Sequence, residues 1–336
     1  MTARKNRIRL VGALLALVLS LSLVGCAVRE GSADDGRLRV VTTLFPYYDF
    51  ARAVAGDRAD VTLLLSPGRE AHSFEPTPLD AVTISRADVF IYNGGEGEVW
   101  VDKILGSVNT ENMTVVKLFD YVEPLEEEDV AGASPSGHSH DHDHDHDHKD
   151  EHHEDGNSSG GDYDEHIWTS PRNAAMCVDG IKEALCGANP PDSVGYEKNA
   201  ADYTAQLDEL DRDFSEMTRN APNDVIVIGD RFPFRYLAHD YDLEYFAAFS
   251  GCSSESEPGV YTMAFLIEEI IAHDIDTVFY LEFSTKKLAE KLCTATGSEM
   301  LPLHSCHNVS KTDFENGETY ISLMRQNLNN LREALY

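Results

Sequence analysis

The sequence predicts an α/β protein: two Rossmann-like lobes of parallel sheet flanked by helices, joined by one long rigid helix. Short apolar runs alternate with helix-like stretches between residues 37 and 118, the pattern of a mostly parallel sheet with crossovers. The alternation resumes after residue 223. Between the halves, residues 194–219 are strongly charged, and their apolar positions, Tyr203, Leu207, Leu210 and Phe214, recur at helical spacing. A chain of 336 residues exceeds a typical single domain and suggests two lobes with their own cores.

Residues 1–25 stand outside the fold. Arg4, Lys5, Arg7 and Arg9 form a basic start, residues 10–24 an apolar run, and Leu23-Val24-Gly25-Cys26 sets small residues before a cysteine. This is a secretory signal, too short in its apolar part for a membrane span. Its ending resembles the lipobox of bacterial lipoproteins, which implies cleavage before Cys26 and lipid on its sulfur. Residues 26–36 are then a tether.

The first lobe takes residues 37–190, with strands at 37–44, 60–65, 89–92 and 115–118 and helices at 46–55, 78–86 and 98–107. Asn93-Gly94-Gly95-Glu96-Gly97 lacks the Lys-Ser/Thr of a phosphate loop and reads as a turn. Residues 123–164 are Gly, Ser, Asp, Glu and His with almost nothing apolar, so they are expected to stay disordered. Thr169 or Ser170 caps the next helix with Pro171 at its first position, and Gly187 and Pro190-Pro191 end it. The linking helix is placed within 191–222 and the second lobe at 223–336. That lobe reads as strands at 224–228, 244–247, 277–281 and 299–303, a turn into a helix over 229–238, and helices at 262–272, 285–296 and 313–335.

The formal charge of −32 would fall by four more with the signal removed. Such a chain is repelled by phosphate backbones, which excludes nucleic acid as a partner, and it attracts cations. Beyond Cys26 stand Cys177, Cys186, Cys252, Cys293 and Cys306, without Cys-x-x-Cys spacing. In an exported protein one or two disulfide bonds are expected among them, with at least one thiol left over.

Metal ligation is the chemistry the histidines suggest. His72 lies in the loop 66–77, between an apolar strand and a helix that Pro78 opens, where open α/β sheets place ligands. His138, His140, His142, His144, His146, His148, His152 and His153 alternate largely with acidic residues, a composition suited to zinc. A disordered tract loses entropy on each binding event, so it reads as a weak, multi-site auxiliary collector rather than the tight site. His239 and His273 fall in helical stretches and read as surface or packing residues.

Two signatures carry a family resemblance. Pro67-Gly68-x-x-x-His72-x-Phe74-Glu75-Pro76-Thr77-Pro78-x-Asp80 resembles the first signature of the cluster A-I (cluster 9) metal-binding proteins of ABC transporters, which include zinc-uptake and adhesin-type members. Asp164-x-His166-x-Trp168-x-x-Pro171-x-Asn173-Ala174 resembles the second, and a His-rich acidic insertion before it is similar to that of zinc-specific members. The resemblance covers the whole mature chain. It implies ligands shared equally by two lobes on a rigid linking helix, and delivery of zinc to a permease. His72 and His166 match its first two ligands. Its third ligand precedes a Phe-x-Tyr by three residues; here Phe234-Arg235-Tyr236 points to Arg231, which cannot ligate, and Asp230 one residue earlier is taken instead. For the fourth position His307 comes first, with His304 as an alternative. Glu282 is a further alternative, or else a partner that orients a ligand imidazole.

Histidines plus one carboxylate select Zn2+ over Mn2+, which prefers oxygen-rich octahedra. The resemblance therefore implies an extracytoplasmic, lipid-anchored, monomeric bacterial protein that captures Zn2+ and partners the permease and ATPase subunits of an ABC importer, without chemistry of its own. A manganese-binding member, or an adhesin or chaperone without an importer, is the alternative. A zinc hydrolase is disfavoured, since no His-Glu-x-x-His occurs.

Overall fold

The computed structural model describes residues 37–128, 130, 163–251 and 258–336, of which Leu38–Tyr336 belong to one unit. The signal, the tether, Cys26, Cys252 and the eight histidines of the 138–153 tract lie outside the described residues.

The first half alternates β1 (Leu38–Thr42), α1 (Phe45–Ala55), β2 (Ala59–Leu63), α2 (Pro78–Ser85), β3 (Val89–Tyr92), α3 (Trp100–Leu105) and β4 (Thr114–Lys117). All strand pairs are parallel, in the order β2-β1-β3-β4, with Val40 opposite both Val61 and Val89. α1 forms because Tyr47, Phe50, Ala51 and Val54 recur on one buried face, and it stops at Gly56, whose φ of 59° suits glycine. α2 starts with a capping box: Thr77 accepts the Asp80 N–H while the Asp80 carboxylate accepts the Thr77 N–H.

After the insertion come α4 (Pro171–Ala188), capped by Ser170, and α5 (Ser193–Asn220). At 28 residues α5 is about 42 Å long. Tyr196, Ala200, Tyr203, Leu207, Leu210, Phe214 and Met217 make its buried stripe, which packs on α1, α4 and the last helix.

The second half repeats the plan with β5 (Val225–Phe232), α6 (Arg235–Asp240), β6 (Glu244–Ser250), α7 (Val260–Ala272), β7 (Thr277–Tyr280), α8 (Lys287–Thr296), β8 (Glu299–Pro302), α9 (Lys311–Asn316) and α10 (Tyr320–Leu335). The strand order, β6-β5-β7-β8, is parallel and reproduces the first sheet position for position. The α/β class with two lobes and a long joining helix is therefore as the sequence predicts.

Several expectations are corrected. β5 runs on through Asp230 and Arg231 to Phe232, past a register irregularity between Ile228 and Arg231, so these residues lie inside a strand and not in a turn into a helix. The last helix is two: Gly317, at φ 78°, ends α9, and Thr319 opens α10 with its own capping box to Ser322. The edges of the 123–164 segment join the fold: Glu126 bridges Tyr163 in antiparallel fashion, Asp164 N–H donates to Leu125 O at 2.9 Å, and Val130 packs into the core. No disulfide forms among the four described cysteines: Cys177, Cys186, Cys293 and Cys306 are free thiols, the first two on α4, the third on α8 and the last in the loop after β8, and Cys177 and Cys306 are each buried in the apolar core.

One core cluster runs through both halves, from Val40 and Phe50 through Trp168 and Leu207 to Phe279 and Tyr320, where separate cores were expected. Smaller clusters lie beneath each sheet. Polar bonds cross the same seam: buried Asp49 accepts from Tyr203 Oη at 2.7 Å and from Tyr320 N–H at 3.0 Å, and Trp168 Nε1 donates to Ser305 O at 2.8 Å.

Candidate metal centre

Three loops past strand ends meet at the seam. The loop after β2 carries His72. Gly68 turns it at φ 82° and donates to Val309 O at 2.7 Å, while Asn308 Nδ2 donates to Ser66 O and Arg69 O, each at 2.9 Å. The His72 loop is thus fastened to the loop after β8, which carries His307. That second loop is shaped by Glu282, whose carboxylate accepts from Ser305 N–H at 2.9 Å and Ser305 Oγ at 2.6 Å, and by Asn327, which holds both the N–H and the C=O of His304 at 2.7 Å. His166 sits in the short turn before α4, fully buried, with Trp168 packed against both it and His307.

His72, His166 and His307 each offer a ring nitrogen, and the three lie within 4.8 Å of one another. Ring centroids are 5.5 Å apart for His72–His166, 4.9 Å for His72–His307 and 5.5 Å for His166–His307. The orientation of two of these rings is set by carboxylates behind them. Asp164 Oδ1 accepts the His166 N–H at 2.8 Å and faces its Nδ1 at 3.1 Å, which leaves Nε2 for the centre of the group. That Nε2 is buried and meets no hydrogen-bond partner among the described residues. Glu165 Oε1 stands 3.5 Å from His72 Nδ1 and plays the same part for the second ring. Glu165 is itself held by Gly97 N–H at 2.8 Å and, through its carbonyl, by Asn93 Nδ2 at 2.9 Å. A Cβ at Gly97 would fall 2.7 Å from Glu165 Oε1, so glycine there allows the approach. Gly251 does the same for His166: a Cβ would lie 3.2 Å from the ring and 2.9 Å from Phe232 O.

Electrostatics keep two of the imidazoles neutral. Burial, with the charges of His166 and Arg231, pushes His72 down to about 3. Burial and the neighbouring His72, His166 and Arg231 push His307 well below its ordinary value. For His166, burial acts downward, but the charge and hydrogen bond of Asp164, with Glu165 and Glu127, outweigh it and raise the pKa. A neutral imidazole is the ligating form.

The structure brings together His72, His166 and His307 and leaves out Asp230, Glu282 and His304. Asp230 borders the same cavity of about 250 Å3, but its carboxylate accepts the adjacent Arg231 N–H at 2.9 Å and is not within the mutual 4.8 Å of the triad. It lies at the register irregularity of β5, between the paired residues Ile228 and Arg231, and short of the strand's end at Phe232. His304 accepts the Cys306 N–H on Nδ1 at 2.9 Å, and Glu282 spends both oxygens on Ser305. Two ligand candidates therefore come from the first lobe and one from the second, not an equal share. The sequence reading missed Glu165 and the orienting part of Asp164. Their signal was present: two carboxylates directly before His166, and a glycine-rich turn at 94–97 with no phosphate-loop lysine to explain it.

Two parallel α/β lobes on a shared helical backbone, with histidines of both facing one point between them, define a two-lobed binding protein with a candidate metal centre. The chain belongs to the family described as zinc-uptake complex component A, periplasmic, which it matches over residues 40–334. It is 32% identical over 324 residues to the zinc-binding lipoprotein AdcA of Streptococcus pneumoniae, covering 96% of this chain and 60% of that one, so it spans about three-fifths of that relative's length. It is 30% identical over 325 residues to the high-affinity zinc uptake system protein ZnuA of Bacillus subtilis, at 95% of both chains. Among solved structures, the Zn(II)-bound ZnuA-like domain of Streptococcus pneumoniae AdcA matches with a TM-score of 0.71 and 30% identity, covering 89% of this chain and 99% of that one.

Proposed function

We propose that this chain is the extracytoplasmic component that captures Zn2+ for an ABC importer, lipid-anchored through Cys26, and that His72, His166 and His307 hold the metal as cargo. The lobes at 37–190 and 223–336, joined by residues 191–222, form the clamp. Three imidazoles leave one position of a tetrahedral zinc site for water or another donor. The observation that carries the reading is the buried, partnerless Nε2 of His166 aimed into a group of three histidines. A buried polar atom without a partner is costly, and a metal ion is what this donor set fits. The names of the two zinc-binding relatives support the cargo, and an all-imidazole group disfavours manganese. Permease and ATPase subunits would be the partners, and hydrolysis would be theirs.

The test is zinc titration of the full chain at pH 7.5 against His72→Ala, His166→Ala and His307→Ala. Each is expected to remove the tight site; tight binding that survives all three substitutions would refute the assignment. The 138–153 histidines act as a weak collector in this reading. Deleting residues 136–155 should lower the zinc stoichiometry and leave one tight site, and loss of that site on deletion would assign it to the tract instead.

A further inference from the structure

We propose that Arg231 sets the affinity of this centre: it is a fixed cation in the cleft wall that weakens the hold of the histidine group on a divalent metal, with Glu70 as the carboxylate that offsets it. The inference rests on the metal reading above and goes beyond it to the control of release.

Arg231 projects from β5 in the second lobe, with 22% of its side chain exposed, and its Nη2 lies 3.2 Å from Glu70 Oε2 on the His72 loop of the first. Both residues border the cavity that the three histidines share. Among the described residues this ion pair is the guanidinium's one side-chain partner. Arginine does not lose its proton and has no lone pair to offer, so it cannot join the coordination sphere and cannot be switched off. A fixed cation in the wall of the cavity that His72, His166 and His307 line disfavours a doubly charged ion there, because the Coulomb energy scales with the product of the charges. Partial burial limits the screening that water would provide.

Glu70 has the opposite sign and stands beside the cation, so the centre feels the imbalance of the pair. Removing the guanidinium leaves an uncompensated carboxylate two residues from His72. Removing the carboxylate leaves an uncompensated cation. A purely mechanical clasp between the lobes would behave differently, since either substitution breaks the same bond. The two explanations therefore differ in sign. For a carrier that must surrender its cargo, a permanent positive charge beside nitrogen ligands moderates a site that would otherwise hold zinc too firmly.

The experiment uses the full chain and reads the tightest zinc site by competition with a chelating indicator at pH 7.5. Arg231→Met is expected to tighten zinc about tenfold, Arg231→Lys, which keeps the charge, to stay within about threefold of the parent, and Glu70→Gln to weaken it about tenfold. If Arg231→Met and Glu70→Gln both weaken binding, the pair is a clasp and the proposal fails; it fails equally if Arg231→Met leaves affinity unchanged. Should Arg231→Met not fold, Glu70→Gln and Arg231→Lys still decide, because an affinity unmoved by Glu70→Gln, or a loss with Arg231→Lys as deep as with Glu70→Gln, overturns it. Retention of the tight site in all three of His72→Ala, His166→Ala and His307→Ala would sink the metal reading itself, which separates the two failures.

Discussion

Asp164 is the side chain through which acid should reach the centre. Its carboxylate binds both the backbone N–H and Nδ1 of His166 and raises that imidazole's pKa against the pull of burial. His72 and His307 are pushed down, so their nitrogens stay unprotonated through the mildly acidic range. Protons therefore compete with zinc first at His166. Because its pKa is raised, full affinity holds only above that raised value and falls as pH drops through it, by up to about tenfold per unit for one titrating ligand. Zinc titrations from pH 8 to pH 5 should show this fall. Asp164→Asn keeps the shape and removes the charge. It should weaken zinc about 10- to 100-fold at pH 7.5, as loss of an orienting carboxylate does, while moving the acid midpoint of release to lower pH. An unmoved midpoint would show that Asp164 does not govern the protonation of His166.

At the scale of elements, the loops matter more than the strands that end in them. Asn308 bonds two carbonyls of the His72 loop, and Gly68 adds a third link to Val309, so one ligand loop serves as the anchor of another. Asn308→Ala would strand two carbonyls, at a cost of about 1–3 kcal/mol. The expected outcome is a melting temperature lower by several degrees and faster amide exchange over residues 68–74, with the second sheet unaffected. This coupling was not legible beforehand, because a hydrogen bond between positions 66 and 308 leaves no local trace. The local traces were read well: Pro78, and Ser170 with Pro171, open helices where their chemistry demands. Gly317 was passed over because the apolar period continues across it, although Thr319 and Ser322 already spelled a new cap. Asp230 was set at a strand tip for a related reason. A strand's end cannot be placed from a run of mixed residues, and β5 continues for two residues beyond it. His72 and His166 were legible as candidates in the two signatures, and His307 in the loop after the last strand; which of several loop histidines would converge was decided by packing.

For the molecule as a whole, the continuous core predicts how far the lobes can move. A clamp that swings on a flexible hinge keeps separate cores and a thin polar seam. Here Trp168, Tyr320 and Phe50 lie in one apolar cluster that passes from one sheet to the other, and Asp49 ties α1, α5 and α10 together through buried hydrogen bonds. Opening such a seam would expose large apolar side chains at about 25 cal/mol per Å2 and strand a buried carboxylate, so wide excursions cost too much to be populated. α5 adds to the restraint, since its buried stripe contacts α1 near one end of the chain and α10 near the other. Zinc binding should therefore stiffen the protein more than it reshapes it. Small-angle scattering of zinc-free and zinc-loaded chain should give radii of gyration within about 1 Å of each other, against the several ångströms of a swinging hinge. Thermal unfolding should nonetheless rise with zinc concentration, because a ligand at about 1,000 times its Kd stabilises by about 4 kcal/mol through mass action alone. The His72→Ala chain should lose that rise. A large change in radius with zinc would mean that the shared core separates, and release would then be governed by lobe opening and not by the charges that surround the three histidines.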